Sequence, residues 1–157
     1  MDQASINNVD IQKDLDNILS ILHYKLKNGI TVRREYAKNL PEIVAYGSEL
    51  NQVWTNIIDN AVDAMEGNGK LIVKTFKDDT WIVVEITDNG PGISEEIQSK
   101  IFDPFFTTKP VGAGIGLGLN ISHNIINKKH RGQITVSSQL GKTTFTVRLP
   151  IIFETNR

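Results

Sequence analysis

The stretch that most constrains this chain is Trp81-Ile82-Val83-Val84-Glu85-Ile86-Thr87, followed at once by Asp88-Asn89-Gly90-Pro91-Gly92-Ile93. The first seven residues are β-branched or aromatic in all but one position, which predicts a strand. Side chains alternate along a strand, so Ile82, Val84, Ile86 and Asp88 share one face. Three are apolar, and the fourth is a carboxylate at the end of the same inward face. A buried charge is costly unless something donates hydrogen bonds to it. The two glycines that follow allow close backbone approach or a positive φ. Two readings stand side by side. One is a carboxylate that accepts a hydrogen bond from a bound heterocycle, on a floor of bare backbone. The other is a turn, since Asn-Gly and Pro-Gly are both turn dipeptides.

A chain of 157 residues predicts one domain with a real core. The net charge of −1 offers no global argument for nucleic acid or an anionic membrane. The absence of cysteine excludes disulfides, thiol catalysis and zinc-thiolate sites. The polar start is not a signal peptide, and no apolar run is long enough to span a bilayer. The expected location is cytoplasmic.

Met1 to Asp10 reads as irregular. From Asp10 to Lys27, Ile11, Leu15, Ile18, Leu22 and Leu26 recur at helical spacing, ending near Asn28-Gly29. Ile30 to Tyr36 reads as a strand, and Pro41 breaks the chain before Ile43 and Val44. Ser48 is the expected N-cap of a helix running to Gly67, with Glu49 in its first turn. Val53, Ile57, Ala61 and Ala64 form its apolar stripe. Gln52, Asn56, Asn60 and Asp63 stack on another side. Asparagine is a mediocre helix former, so two of them one turn apart need a reason. Either the face is wet, or the amide oxygens partner a hard cation such as Mg²⁺ beside phosphates.

Lys70–Lys77 and Trp81–Asp88 are expected strands, and Ser94 opens a short helix. Half of the six phenylalanines then cluster in Phe102-Asp103-Pro104-Phe105-Phe106, between breakers. This is either a small satellite cluster or a hinged lid that carries Lys109 to a phosphate. From Gly112 to Gly118 glycine occupies every second position, leading into a helix from Leu119 to Lys129. A glycine-rich loop feeding a helix N-terminus is an anion site. Gln133–Ser138 and Thr143–Leu149 close the chain as strands, with Thr143 on the core side beside Phe145, Val147 and Leu149.

Known phosphate loops fail on spacing. Gly141-Lys142-Thr143 ends like a Walker A motif, but Val136 stands where its first glycine belongs. The dinucleotide pattern fails at Leu117. His23, His123 and His130 lie far apart without ligand spacing and read as surface or packed residues.

Four segments, in order, resemble the boxes of one family. Asn56-x-x-x-Asn60-Ala61 looks like the N box and Asp88-x-Gly90-x-Gly92 like the first glycine box. Phe102-Asp103-Pro104-Phe105-Phe106 looks like the F box, and Gly112-x-Gly114-x-Gly116-Leu117-Gly118-Leu119 like the second glycine box. Together they resemble the ATP-binding catalytic domain of sensor histidine kinases, within the superfamily of DNA gyrase B, Hsp90 and MutL. The resemblance implies an α+β, two-layer α/β sandwich of the Bergerat type. A mixed sheet of roughly five strands is covered on one face by about three helices, under a mobile ATP lid. The domain would occupy residues 30–157, led in by a helical segment at 1–29.

The resemblance also implies a site for ATP and Mg²⁺. Asp88 would accept from the adenine amino group, Thr143 would bind the base through water, and Gly90, Gly92 and Ile93 would line it. Asn60 would hold the metal. Asn56 and Lys109 would attend the transferring phosphoryl group. Asp63 and the backbone from Gly112 through Gly114, Gly116, Leu117, Gly118 and Leu119 would complete the nucleotide contacts. The hydrolytic branches carry a glutamate base where this chain has Asn56, and an amide cannot take a proton from water. That favours transfer to a histidine on a separate dimerisation and phosphoacceptor domain. His23 is followed by Tyr24 and lacks the acidic residue and proline of such acceptors, so that domain is expected elsewhere in a longer, homodimeric kinase. A response regulator would act downstream, with no nucleic acid and no membrane contact by this domain, although the parent could be anchored. The alternative is a stand-alone serine kinase of the superfamily, or a module that binds ATP for regulation.

Overall fold

The computed structural model describes residues 5–106 and 118–151. In chain order the elements are β1 (Ile6–Val9), α1 (Ile11–Ile21), α2 (His23–Leu26), β2 (Ile30–Tyr36), β3 (Ile43–Tyr46) and α3 (Gly47–Ala64). Then come β4 (Gly69–Asp78), β5 (Trp81–Asp88), α4 (Glu95–Gln98) and α5 (Gly118–Asn124), which runs on as a π-helical turn, Ile125–Lys129. β6 (Gln133–Gln139) and β7 (Lys142–Pro150) follow.

Five strands form one mixed sheet in the order β2-β4-β5-β7-β6. The β2–β4 pair is parallel and the remaining pairs are antiparallel. β5 is therefore the central strand, as its nearly unbroken apolar composition suggests. Its inward residues Ile82, Val84 and Ile86 join Leu71 and Val73 of β4 and Phe145, Val147 and Leu149 of β7 in a single core. Ile11, Leu15, Ile18 and Leu19 of α1 and Leu50, Val53, Trp54, Ile57 and Ile58 of α3 close over them, with Ile125 and Ile126. The helices thus cover the sheet as the resemblance implies. Burying each such aliphatic side chain contributes roughly 1.5–3 kcal/mol, which sets the sheet–helix spacing that the site inherits. The segment 1–29 shares this interior, since Val9, Leu22 and Leu26 belong to the same cluster.

Four local expectations are corrected. The stretch before Asp10 is not wholly irregular, because Ile6–Val9 pairs antiparallel with β3, Val9 opposite Ile43. Only four residues long and half asparagine, β1 carries little strand signal of its own, and its partner supplies the order. The predicted first helix breaks at Leu22, where ψ is 6°. The displaced turn, α2, is held by Lys25 pairing with Asp59 on α3, and Leu22 and Leu26 stay buried. Ser48 is not the cap of α3; Tyr46 stands at that position, and no side chain caps the helix. The chain passes directly from β3 into α3, and Glu49 of the first turn pairs with Lys129. Finally, the last helix is not uniformly α. The backbone N–H and the Nδ1 of His130 both reach the Ile125 carbonyl, at 3.1 Å and 2.9 Å, which demands a turn one residue wider than α.

Candidate functional site

β5 ends at Asp88, and β7 places Thr143 directly opposite it. Both side chains are buried, at 4% and 3% exposure. The Gly90 backbone N–H donates to Asp88 Oδ1 at 2.9 Å. Burial still pushes the Asp88 carboxyl above its ordinary value, with that hydrogen bond pulling the other way. A carboxyl held in this state is short of donors, and a ligand N–H would supply one. Thr143 is in turn joined to Ser138, hydroxyl to hydroxyl at 2.6 Å, and Ser138 Oγ accepts from the Ile93 N–H at 2.7 Å. Ser138 thus ties the loop after Asp88 to the β6–β7 hairpin.

The two glycines of this loop are used by the protein's own backbone. A Cβ on Gly92, where φ is +93°, would lie 2.4 Å from the Gln139 carbonyl oxygen. One on Gly90 would lie 3.0 Å from the carbonyl oxygen of Ala64, at the end of α3. The second contact brings α3 to the Asp88 loop.

One face of α3 carries Asn56 and Asn60, both half-buried, and the exposed Asp63. Asn56 Nδ2 donates to the Gly118 carbonyl at 3.0 Å and to Ser122 Oγ at 3.2 Å. α3 therefore touches the start of α5 at Asn56 and the Asp88 loop at Ala64. Asp63 lies near Lys25, on the side of α3 that meets α2, and the Lys25 ammonium is held mainly by Asp59. Gly118 and Leu119 open α5. Lys109, Gly112, Gly114, Gly116 and Leu117 lie outside the described residues.

The F-box segment packs against α5. Asn120 Nδ2 donates to the Phe102 carbonyl at 3.0 Å, and the Phe102 ring sits 5.3 Å from His123 and 6.3 Å from Phe145. Phe105 is 71% exposed, with φ +67°. A trough of about 710 Å³ lies outside the Asp88 loop, lined by Ala64, Met65, Glu66, Asn68, Asn89, Gly90, Pro91, Leu140 and Gly141. It shares only Gly90 with the expected set.

Sequence reasoning passed over Ser122, Ser138 and His130 as functional or positioning groups. Ser122 could have been suspected from its place one helical turn after Gly118. Ser138 could have been suspected as a hydroxyl one residue before the hairpin that leads to Thr143. His130 is packed, one of the two places its sequence context allows. It is 1% exposed, with Nδ1 on the Ile125 carbonyl and Nε2 accepting from the Tyr46 N–H at 3.1 Å.

Among the described residues no group of three His, Cys, Asp or Glu could hold a metal ion. A cation here would be held by amide oxygens together with ligand phosphates. The donor chemistry suits that: Asn56 is half-buried, and its Oδ1 accepts no hydrogen bond from the described residues.

With this geometry in hand, residues 46–152 match the family described as histidine kinase-, DNA gyrase B-, and HSP90-like ATPase, and the chain belongs to it. Its relatives within that family are sensor kinases. The chain is 34% identical to the sensory histidine kinase/phosphatase NtrB of Vibrio alginolyticus over 91% of its own length and 43% of that protein. It is 46% identical to the signal transduction histidine-protein kinase AtoS of Escherichia coli strain K12, over 74% of this chain and 19% of that one. The chain thus spans less than half the length of these relatives. The catalytic domain of histidine kinase ThkA superposes with a TM-score of 0.87 at 28% identity, covering 94% of this chain and 97% of that one. The same kinase in complex with response regulator protein TrrA superposes with a TM-score of 0.81 at 26% identity, over 93% of this chain and 42% of that chain. Among the described residues, no helix is long and apolar enough to cross a membrane.

Proposed function

We propose that this domain binds ATP with Mg²⁺ and donates the γ-phosphoryl group to a histidine on a dimerisation and phosphoacceptor domain outside this chain. A response regulator would then take the phosphoryl group, by analogy with the kinase solved beside its regulator. The observation that carries the reading is the placement of α3. Asn56 meets the start of α5, and Ala64 meets Gly90 beside Asp88. Eight residues of helix span about 12 Å at 1.5 Å per residue, comparable to an extended nucleoside triphosphate.

On this reading Asp88 accepts from the exocyclic amine of adenine, and Thr143 orients a water on the ring. Asn60 and the Asn56 oxygen face the phosphate end, and Lys109 and the glycine-rich segment from Gly112 to Leu119 attend the triphosphate. Mg²⁺, when bound, neutralises phosphate charge. The protein's own share is positioning and exclusion of water, which is most of what phosphoryl transfer requires. Asn56 has no basic lone pair to activate water, so hydrolysis is disfavoured relative to transfer. The test is phosphotransfer in trans. Purified chain, Mg²⁺ and γ-labelled ATP are mixed with the dimerisation domain of the parent protein. Label on that domain's histidine is the expected result. ATP binding without any label on it would contradict the proposal.

A further inference from the structure

The Asn56 carboxamide is held by two acceptors, the Gly118 carbonyl and Ser122 Oγ. Nδ2 lies 3.0 Å from the Gly118 carbonyl. A carbonyl can only accept, so the atom facing it is the nitrogen. Ser122 Oγ gives its own proton to that same carbonyl at 2.9 Å, the back-bond of a helical serine to the residue four before it. Toward Asn56 it therefore presents lone pairs, and it accepts from Nδ2 at 3.2 Å. The two acceptors are themselves 2.9 Å apart, so both draw Nδ2 to the same side, and Oδ1 accepts nothing from the described residues. Ser122 is 0% exposed, so bulk water does not compete for this position.

A carboxamide free to flip offers a cation its oxygen in one state and its N–H₂ group in the other. The second repels a cation and competes for phosphate oxygens. Here the flip would set Oδ1 against the Gly118 carbonyl, acceptor against acceptor. The network selects one state before any ligand arrives, which lowers the cost of ordering on binding.

We propose that Ser122 is a positioning residue that, with the Gly118 carbonyl, holds Asn56 so that its oxygen and not its nitrogen faces the cation end of the nucleotide. This rests on the reading that the Asn56–Asn60 face receives the phosphates. It adds that Asn56 acts there through its oxygen, as an acceptor.

The test measures ADP affinity of the full chain by calorimetry, with Mg²⁺ and with EDTA, for wild type, Ser122→Ala and Ser122→Thr. Wild type should bind more tightly with Mg²⁺. Ser122→Ala should keep the affinity in EDTA and lose about fivefold of the Mg²⁺-dependent gain, the scale of one hydrogen bond. Ser122→Thr, which keeps the hydroxyl, should restore it. An unchanged Mg²⁺ gain in Ser122→Ala overturns the proposal. Wild type that binds ADP with no Mg²⁺ gain overturns the reading of the phosphate face, and the proposal with it. A measurement on wild type alone covers the case of a variant that does not fold. By NMR, the Asn56 side-chain N–H₂ should exchange more slowly than those of exposed asparagines and stay protected when Mg-ADP is added. Loss of that protection on adding nucleotide overturns the proposal.

Discussion

Thr143 faces Asp88 across the β5–β7 pair, two polar side chains sealed to 3% and 4% exposure at one end of an otherwise apolar face. The carboxyl of this pair receives one backbone N–H, from Gly90, and burial raises its pKa. Such an arrangement costs stability when the group is ionised, which marks the end of β5 as a candidate ligand site.

The first prediction follows from that cost. A carboxyl whose folded pKa is raised above its ordinary 3.8 binds its proton more tightly when native. Its contribution is therefore most favourable below 3.8 and is lost as pH rises through the folded value. At pH 7 the ionised form is a burden. Asp88→Asn keeps an acceptor for Gly90, so the ligand-free variant should melt no lower than wild type at pH 7. Its advantage should shrink on acidification. Calorimetric melts at pH 4 and pH 7 check both points.

His130 gives the opposite slope. Burial lowers its pKa, while the Ile125 hydrogen bond and Glu49 oppose that and Lys129 adds to it. The neutral ring donates from Nδ1 to Ile125 and accepts at Nε2 from the Tyr46 N–H. Protonation would set N–H against N–H. Stability from this residue should be full above the ordinary 6.5 and decline as pH falls below it. His130→Ala should cost about 2–4 kcal/mol at pH 7.5, because the Tyr46 N–H loses the ring nitrogen, the Ile125 carbonyl keeps only the backbone N–H, and the buried ring leaves a cavity. The difference between the two proteins should narrow below pH 6, as read by denaturant melts.

The glycines separate backbone strain from collision. Gly141 has φ +81° with open space around it, whereas Gly92 combines φ +93° with a carbonyl 2.4 Å from any Cβ. Gly141→Ala should cost about 1–2 kcal/mol, the left-handed penalty alone. Gly92→Ala should cost more and should also weaken nucleotide binding, since the Asp88 loop must shift. A Cβ on Gly118 meets nothing nearer than 3.5 Å, so Gly118→Ala should fold normally. Urea melts of the three variants rank them.

Leu15 tests whether the first helix belongs to the same folding unit. It is 0% exposed in the common core. Leu15→Ala should cost roughly 2–5 kcal/mol. It should lower one cooperative transition rather than split it in two, by circular dichroism and tryptophan fluorescence together.

Catalysis carries its own prediction. With Asn56 in place of a base, the isolated chain should hydrolyse ATP barely above background in a coupled phosphate assay. Brisk turnover would call for a base elsewhere.

Much of this was legible in sequence because two signals coincide in it. Alternation in β5 and β7 placed Ile82, Val84 and Ile86 inward with Asp88, and Phe145, Val147 and Leu149 inward with Thr143. The spacing of Asn56 and Asn60 put them on one face of α3. What stayed hidden depends on partners remote in the chain. Ile6–Val9 becomes a strand only through Ile43–Tyr46. The π-helical turn is closed where the backbone N–H and the ring of His130 both meet the Ile125 carbonyl. Ser122 matters only because α5 brings it to Asn56. None of these leaves a period or a local propensity to read.

The central claim is that the base of a nucleotide rests against Asp88, and a thermal-shift titration with Mg-ADP on wild type and Asp88→Asn tests it most directly. At a hundredfold excess over Kd, ligand should stabilise wild type by about 2.7 kcal/mol, a rise of roughly 5–10 °C for a domain this size. Asp88→Asn should fold and show no rise. Equal rises in both proteins would contradict the account.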